Sequence, residues 1–570
     1  GDGAGILVRW QTWQPAVFEQ ARLENKLVLL NMEAVWCHWC HVMDEKTYSD
    51  PAVAEYLHAN YIPILVDHDA RPDLANRYRE YGWPATIVLK ADGTELVKRA
   101  GYIAPANFLR LLQAIVADPT PEAAARIPTV TAAENSNLPD DIRTDLQRRH
   151  LKSFDPEKAG LAIALKFLEE DHVEWAMTLA AKGDAREEDI ARRSIEASFK
   201  LIDPVWGGVY QYSTRYDWDH PHYEKIMSSQ MDYLRIYALA YAQWQDERYK
   251  NAAYDVYRYL TDFLLSPNGA FYTSQDADLR PGEHSDEYFA LDDAGRRAQG
   301  VPRIDKHLYT RENAWVVTAL AHLYAVTGDE EVLNTAKTAM RWVVANRRLP
   351  EGGFKHDAED EFGPFLGDTL AMGRAYLLLH QVTAKRVWLV GAENAANFIA
   401  QHFKADNAGY LGGVATGGPV KPIAHVQENI RVVRFTNRLF HYTGKQEFRD
   451  LAEHGMRYLV APEIATKRID ESGILLADHE LAIDPKHLAV VGPKSDAAGR
   501  ALFALALRQP GAYKRVEWWD RAEGPLPNPD VRYPKQKRVA AYYCNDGRCS
   551  LPTFTVARFA KLIAKFDTAK

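Results

Sequence analysis

The order of apolar and polar positions divides the chain into three parts. In the first, short apolar runs alternate with amphipathic stretches. Residues 16–25 read as a helix, and Leu27-Val28-Leu29-Leu30-Asn31 is an apolar run of strand length. A helix is expected at or beside the Cys37 that follows, and another over 51–60, with strands over 62–66 and 86–90. Asp92-Gly93 carries the signal of a hairpin turn. It leads into a strand over 95–100, and a helix over 105–116 closes the unit. This order predicts an α/β domain with a mixed sheet over residues 1–118. Residues 119–140, with Pro119, Pro121, Pro128 and Pro139, read as a linker.

From 141 to 484 the period becomes helical, and the helices come in pairs: 159–180 with 188–201, 226–244 with 248–265, 312–326 with 330–346, 369–382 with 386–403, and 429–442 with 447–460. The loops between pairs repeat a theme. They read Trp206-Gly207-Gly208-Val209-Tyr210, Asn268-Gly269-Ala270-Phe271-Tyr272, Glu351-Gly352-Gly353-Phe354 and Gly409-Tyr410-Leu411-Gly412-Gly413. Glycine beside an aromatic, once per hairpin, is an internal repeat of about 50–80 residues. Roughly ten to twelve paired helices suit a closed α/α toroid better than an open solenoid. In such a toroid an inner ring surrounds a funnel and one set of loops gathers at its mouth. Residues 485–570 read as a small β-α-β appendage with a C-terminal helix: a strand over 488–491, a helix over 496–507 and a strand over 539–543. The fold class is therefore multidomain: α/β, then all-α toroid, then appendage.

Composition narrows the function classes. The chain of 570 residues is 47% hydrophobic and 26% charged, with a net charge of −8, so it lacks the basic footprint of a nucleic-acid binder. No apolar run approaches the roughly 20 residues that a membrane helix needs, so no membrane insertion is expected. With 14 Trp, 29 Tyr and 20 Phe, disorder is excluded. The opening Gly1-Asp2-Gly3-Ala4-Gly5 fits either a trimmed export signal or a cloning remnant. The compartment stays open, with an exported, periplasmic setting slightly favoured.

The four cysteines form two tight pairs, Cys37-x-x-Cys40 and Cys544-x4-Cys549. Such pairs point to redox or metal chemistry rather than to a disulfide scaffold. A strand precedes the first pair and a helix follows it. A helix N-terminus stabilises a thiolate, so Cys37 is the expected nucleophile and Cys40, one turn on, the resolving thiol. Protonated His38 would add positive charge, and Trp36 would shield one side. Cys37 to His41 also spells C-x-x-C-H, the signature of covalent haem with His41 as axial ligand. A zinc site using His38 or His41 is a further alternative. The strand–thiol–helix order disfavours both, and the expected cofactor is none beyond the disulfide. Cys544 and Cys549 bracket the turn Asn545-Asp546-Gly547-Arg548, and could close a structural disulfide, stay reduced or take electrons from Cys37.

Some 44 residues after the first pair, Tyr81-Gly82-Trp83-Pro84-Ala85-Thr86 enters a strand. Together with the C-x-x-C this resembles the thioredoxin superfamily. The resemblance implies that the Trp83–Pro84 bond is cis and that Pro84 lies against the disulfide. Thioredoxins proper carry a buried aspartate six residues before the first cysteine, where this chain has Asn31. An amide takes no proton, so proton transfer to Cys40 would need Glu33, a histidine or water.

A longer set of motifs is similar to one family. It comprises Cys37-His38-Trp39-Cys40-His41-Val42-Met43, Pro51-Ala52-Val53-Ala54, Val66-Asp67 and Arg71-Pro72-Asp73-Leu74. Further on come Pro221-His222-Tyr223-Glu224-Lys225-Ile226, Phe271-Tyr272-Thr273-Ser274-Gln275-Asp276-Ala277-Asp278 and Asp305-Lys306, with a closing segment over 539–549. These resemble the spermatogenesis-associated thioredoxin-like proteins and their bacterial relatives of the YyaL type. That resemblance implies a thioredoxin-like domain joined to a toroid related to N-acylglucosamine 2-epimerase. The chain departs from the family where residues 76–81 look shortened, and where Tyr309-Thr310-Arg311-Glu312-Asn313 replaces a Ser-Trp-Asn-Gly stretch. Tyr48-Ser49-Asp50-Pro51-Ala52-Val53 also resembles the periplasmic thioredoxin-like domain of DsbD-type interchange proteins.

Epimerase-type toroids use histidines as general base and acid. Here the expected mouth loops offer His222, Glu224, Lys225, Asp276, Asp278, His356 and Asp368, beside Trp206, Tyr210, Tyr223 and Tyr272. Carboxylates on hydroxyls and an aromatic stacking face would suit a sugar-like ligand. The plainer expectations are that Asp368 caps a helix from Thr369, that Asp276 and Asp278 are turn residues, and that Glu224 pairs with Lys225. The leading expectation is a thiol–disulfide oxidoreductase whose toroid binds or selects a protein thiol or disulfide partner or a ligand. The alternative is a carbohydrate-binding or isomerising toroid with an accessory redox domain.

Overall fold

The computed structural model describes residues 7–79, 82–127 and 130–569. Tyr81 of the Trp-Pro motif, Pro128 of the linker and the opening Gly1-Asp2-Gly3-Ala4-Gly5 lie outside the described residues. The first domain runs α1 (Pro15–Glu24), β1 (Leu27–Glu33), α2 (His38–Lys46), α3 (Pro51–Asn60), β2 (Tyr61–Asp67), α4 (Pro72–Arg77), β3 (Ala85–Leu89), β4 (Glu95–Ala100) and α5 (Pro105–Ala117). Its sheet has the order β2-β1-β3-β4, with β1 parallel to β2 and antiparallel to β3. Because β1 is covered on both faces, it reads as a continuous apolar run. Alternate residues feed two cores. Val28, Leu30 and Met32 meet Phe18 and Leu74 on one side, while Leu29 meets Met43, Leu57 and Phe108 on the other. Proline opens α1, α3, α4 and α5, where its missing N–H costs nothing.

The middle of the chain begins with α6 (Asp140–Lys152), α7 (Glu170–Ala180) and α8 (Ala185–Ser198). The short strands β5 (Tyr212–Ser213), β6 (Pro221–His222) and β7 (Lys225–Ile226) precede α9 (Met227–Trp244) and α10 (Glu247–Tyr259). An excursion follows with β8 (Ser274–Gln275), α11 (Asp286–Phe289), α12 (Asp293–Gln299) and β9 (Ile304–Asp305). Then come α13 (Thr310–Thr327), α14 (Glu330–Arg347), α15 (Leu366–Thr383), α16 (Arg386–His402), α17 (Val426–Thr443), α18 (Gln446–Leu459), α19 (Pro462–Ala465) and α20 (Ser472–Ala482). Among the described residues, α7, α9, α13, α15, α17 and α20 form an inner ring, each packed on the next, with α20 returning to α7. Around them α8, α10, α14, α16 and α18 pack on the inner helix that precedes each, and α6 packs on α20. This is a closed toroid of six helix pairs. The closing pair, α6 with α20, is the one the hydrophobic pattern does not reveal. The helix expected over 159–180 begins only at Glu170, because Ala159 and Gly160 take left-handed backbone conformations that a helix cannot contain.

The glycine–aromatic repeat has a structural cause. Each loop makes one β-bridge after an outer helix: Ile202 with Val209, Leu265 with Phe271, Arg348 with Phe354, and Lys404 with Tyr410. The fourth residue of the following inner helix then binds the loop backbone. Gln230 accepts from Val209 N at 2.7 Å and donates to its carbonyl at 2.8 Å. Asn313 does the same for Phe271 and Asn429 for Tyr410, while Thr369 Oγ1 accepts from Phe354 N. Glycine is required where the loop meets an outer helix. Gly207 has φ +74°, and an added Cβ would lie 2.1 Å from the Asp255 carbonyl oxygen.

The appendage is β10 (Lys486–Val491), α21 (Ala497–Leu507), β11 (Lys514–Trp519), β12 (Ala540–Asn545), β13 (Arg548–Cys549) and α22 (Val556–Thr568), in a sheet ordered β11-β10-β12-β13. It packs at the C-terminal ends of the inner helices, where Val516 N donates to Tyr442 Oη and Lys494 Nζ to the Ala384 carbonyl. Among the described residues no helix is long and apolar enough to cross a membrane.

Candidate functional site

Strand β1 delivers the turn Ala34-Val35-Trp36, and Cys37 becomes the N-cap of α2, its Sγ accepting from Cys40 N at 3.1 Å. Cys37 and Cys40 are joined as a disulfide, 4% and 1% exposed. The Trp83–Pro84 bond is cis, as the thioredoxin resemblance implies, and Trp83 packs on Trp36 and the two cysteines. Below them Asn31 is fully buried and donates to Glu33 Oε1 at 2.7 Å. Burial, and then the neighbouring Asp44, push the Glu33 carboxyl well above its usual range.

The thioredoxin-like domain sits on the toroid at the N-terminal ends of the inner helices, held by three histidine ties. His38 Nδ1 lies 2.9 Å from both oxygens of Asp278. His41 Nε2 lies 2.8 Å from Asp276 Oδ2. His356 Nδ1 lies 2.7 Å from Asp368 Oδ1 and its Nε2 is 2.6 Å from the Asp69 carbonyl oxygen. Burial works against a charge on His356, but the Asp368 carboxylate outweighs it and lifts the imidazole to about 9. His41 is raised in the same way by Asp276, against the cost of burial.

These ties change several expectations. Asp276 and Asp278 are not simple turn residues, since they hold the helix that Cys37 caps. Asp368 does not cap a helix from Thr369: α15 already starts at Leu366, and the carboxylate accepts from Arg311 N and pairs with His356. Lys225 does not pair with Glu224. Its Nζ donates to Asp203 Oδ2 at 2.7 Å and to the Gly207 carbonyl at 2.8 Å, and burial draws it down to about 8. Trp206 and Tyr210 are buried, each with a ring centroid within 6 Å of the Lys225 ammonium. His222 stacks beside Tyr212 at 4.7 Å, and burial lowers its basicity. Cys544 and Cys549 close a disulfide across β12 and β13. It lies at the far end of the ring, and inner helices of 18 residues separate the ends by roughly 27 Å. Direct exchange with Cys37 is therefore not available.

Between the two domains lies a cavity of about 400 Å³. Trp36, Cys37 and Trp83 form one wall, and Glu224, Arg374 and Glu428 belong to the other. The β7–β8 pairing sets Glu224 opposite Asp276. Its Oε2 is buried without a hydrogen-bond partner, and burial with the nearby Asp276 and Asp278 pushes it up to about 8. Burial lifts Glu428 to about 7. Both carboxyls can therefore hold a proton near neutral pH. Arg311, Trp315 and Arg431 complete the toroid wall, and like Arg374 and Glu428 they escape the sequence reading. The signal available for Arg431 was its spacing from Arg434 and Arg438, three and seven residues on along one face of α17. Among the described residues, three groups bring possible cation ligands within 4.8 Å of one another: His41 with Asp276 and Asp278, Asp67 with Asp69 and Asp305, and His150 with His172 and Asp470.

Fold and site together define a thioredoxin-like domain docked through its C-x-x-C helix onto an α/α toroid. Residues 4–117 match the model of the thioredoxin-like DsbH family, described as a protein of unknown function, DUF255. Spermatogenesis-associated protein 20 of Mus musculus is 26% identical over 310 residues, and that of Homo sapiens is 26% identical over 309. Each match covers 48% of this chain and 39% of the relative, so the chain spans about two-fifths of the relatives' length. The cellobiose 2-epimerase of Bacillus thermoamylovorans B4167 aligns over 56% of this chain and 86% of its own, at 13% identity and a TM-score of 0.45. A thioredoxin of Thermus thermophilus aligns over 19% of this chain and 87% of its own, at 29% identity and a TM-score of 0.18. The matches bear out the resemblance to the spermatogenesis-associated thioredoxin-like proteins that the motifs suggest.

Proposed function

We propose that this chain is a thiol–disulfide oxidoreductase whose disulfide works inside the interdomain chamber, with the toroid as the half that holds the substrate. One observation carries the reading: the helix-capping sulfur of Cys37 opens onto a chamber whose opposite wall is the toroid mouth. The helix N-terminus favours the thiolate of Cys37, and Cys40 is one turn away to resolve a mixed disulfide. With Cys37 4% exposed, a folded protein partner would have to displace the toroid to reach the sulfur. A small molecule would not, and the chamber volume lies in the range of small-ligand sites, roughly 300–1,000 Å³. The carbohydrate reading, built on His222, Glu224, Lys225, Asp276 and Asp278, has less support, because of these only Glu224 lines the chamber. His222 is not part of the chamber lining, and the two aspartates are engaged by His41 and His38. The test is electron transfer from dithiothreitol to hydroxyethyl disulfide. Catalysis by the parent chain that is lost in Cys37→Ser supports the reading; equal rates for the two proteins reject it.

A further inference from the structure

The inner ring carries six arginines with side chains toward its axis or mouth, and five of them are engaged. Arg235 is held by Glu170 and Glu174, and Arg434 by Glu174 and Glu480. Arg311 is paired with Glu312 at 2.6 Å, and Arg438 donates to Gln381. Arg431 approaches Glu170 and Asp232 only at 4.0 Å. Arg374, on α15, has no hydrogen-bond or ion-pair partner among the described residues, yet it lines the chamber that Cys37 lines. A half-buried guanidinium with no protein partner is free to take an anion from the chamber.

Glu170 is held down to about 2 and attracts Arg374 and Arg431, but the acids that line the chamber do not neutralise them. Glu428 and Glu224 are lifted by burial to about 7 and about 8. Asp232 is held well above the usual carboxylate range by burial and by Glu170. Burial, followed by repulsion from Arg431, brings Arg374 itself down to about 9. Near neutral pH the wall facing the disulfide therefore carries unbalanced positive charge.

We infer that the chamber selects small disulfides and thiols bearing carboxylates, with Arg374 and Arg431 binding the anionic end while the sulfur meets Cys37. This rests on the oxidoreductase reading and adds a substrate class to it. In the reducing direction the Cys37 thiolate attacks one sulfur of R–S–S–R. That S–S bond breaks, the first RS⁻ leaves and takes up a proton, and a mixed disulfide remains. Cys40 gives up its proton and attacks Cys37 Sγ, releasing the second RS⁻, which is protonated in turn. The protein loses two electrons and reaches the disulfide form seen here; the substrate gains two and becomes two thiols. In the opposite direction a carboxylate-bearing thiol is the reductant.

The experiment mixes fully reduced protein with one of three disulfides and follows single-turnover oxidation: anionic 3,3′-dithiodipropionate, neutral hydroxyethyl disulfide and cationic cystamine. The expected order is anionic, then neutral, then cationic. Salt should narrow the spread. In Arg374→Gln the ratio of anionic to neutral rates should fall roughly ten- to a hundredfold, the range of a charge-assisted hydrogen bond. Arg374→Lys should retain most of the preference. Oxidation of the parent chain at equal rates by all three, or fastest by cystamine, overturns the inference and leaves the oxidoreductase reading standing. No oxidation of the parent chain beyond that of Cys37→Ser by any of them removes both. The parent series decides the matter even if Arg374→Gln fails to fold.

Discussion

His41 Nε2 and Asp276 Oδ2 lie 2.8 Å apart, one on the helix capped by Cys37 and the other in a loop of the ring, 235 residues away in sequence. Both side chains are largely buried, and the neighbouring tie from His38 to Asp278 reinforces the contact. The helix that Cys37 caps is thereby fixed to the toroid. The disulfide and the docking contacts share one turn and a half of chain.

Asp276→Ala leaves His41 buried without its carboxylate. Removing one partner of a buried ion pair costs about 3–5 kcal/mol. We expect a fall of that order in unfolding free energy, or separate melting of the first domain. Cys37 of the reduced protein should also alkylate faster, since the domain that covers it is released. Unchanged melting together with unchanged alkylation would show that the tie contributes nothing to docking.

Within the reduced parent chain Cys37 should alkylate ahead of Cys40 at neutral pH. Cys37 Sγ accepts the Cys40 N–H at the helix start, while Cys40 lies inside the helix at 1% exposure. Mass spectrometry after brief iodoacetamide treatment reads the order. Labelling of Cys40 first would reverse the assignment of nucleophile and resolving thiol.

What the sequence conveys and what it hides follow from range. The strand, the C-x-x-C and the helix are neighbours in the chain, so the place of Cys37 at the helix start is legible from spacing alone. Helix pairs are legible because each outer helix is amphipathic at a period of 3.6. The ring closure is not, since α6 meets α20 across more than three hundred residues. Arg374 is hidden for another reason: α15 is buried almost all round, so no polar face marks its lumen side. Asp276 and Asp278 could be read as hydroxyl binders because nothing local pairs them with His41 and His38. The fourth-residue staples Gln230, Asn313 and Asn429 were equally silent, being single polar residues at the starts of apolar helices.

The stability that Glu224 and Glu428 contribute should fall as pH rises from about 5 to about 8. Burial pushes Glu224 up to about 8 and Glu428 up to about 7, above the ordinary glutamate value of 4.5. A raised folded value means that the native state binds the proton more tightly. The stabilisation is complete below the unfolded value and is lost as pH climbs through the folded one. One such group contributes a slope of at most about 1.4 kcal/mol per pH unit. In urea unfolding at pH 5, 6, 7 and 8, the stability of the parent relative to Glu224→Gln should decline as pH rises, by up to one proton's worth of slope. A Glu224→Gln profile parallel to the parent profile would mean that Glu224 is ionised throughout.

Asn429 holds both backbone groups of Tyr410, with Tyr410 N donating to Oδ1 at 2.7 Å and Nδ2 donating to the Tyr410 carbonyl at 3.0 Å. Asn313 holds Phe271 in the same way. The bridged aromatics are fully buried, so water cannot replace the lost partner. A buried donor or acceptor left unmade costs about 1–3 kcal/mol. Asn429→Ala and Asn313→Ala should therefore each lower unfolding stability by about 2 kcal/mol or more. The two sites lie on different helix pairs, so their effects should add in the double variant. The redox chemistry need not follow, because neither residue lines the chamber. Equal stability of Asn429→Ala and the parent by urea unfolding would mean that the repeated loops are held by their β-bridges and glycines alone.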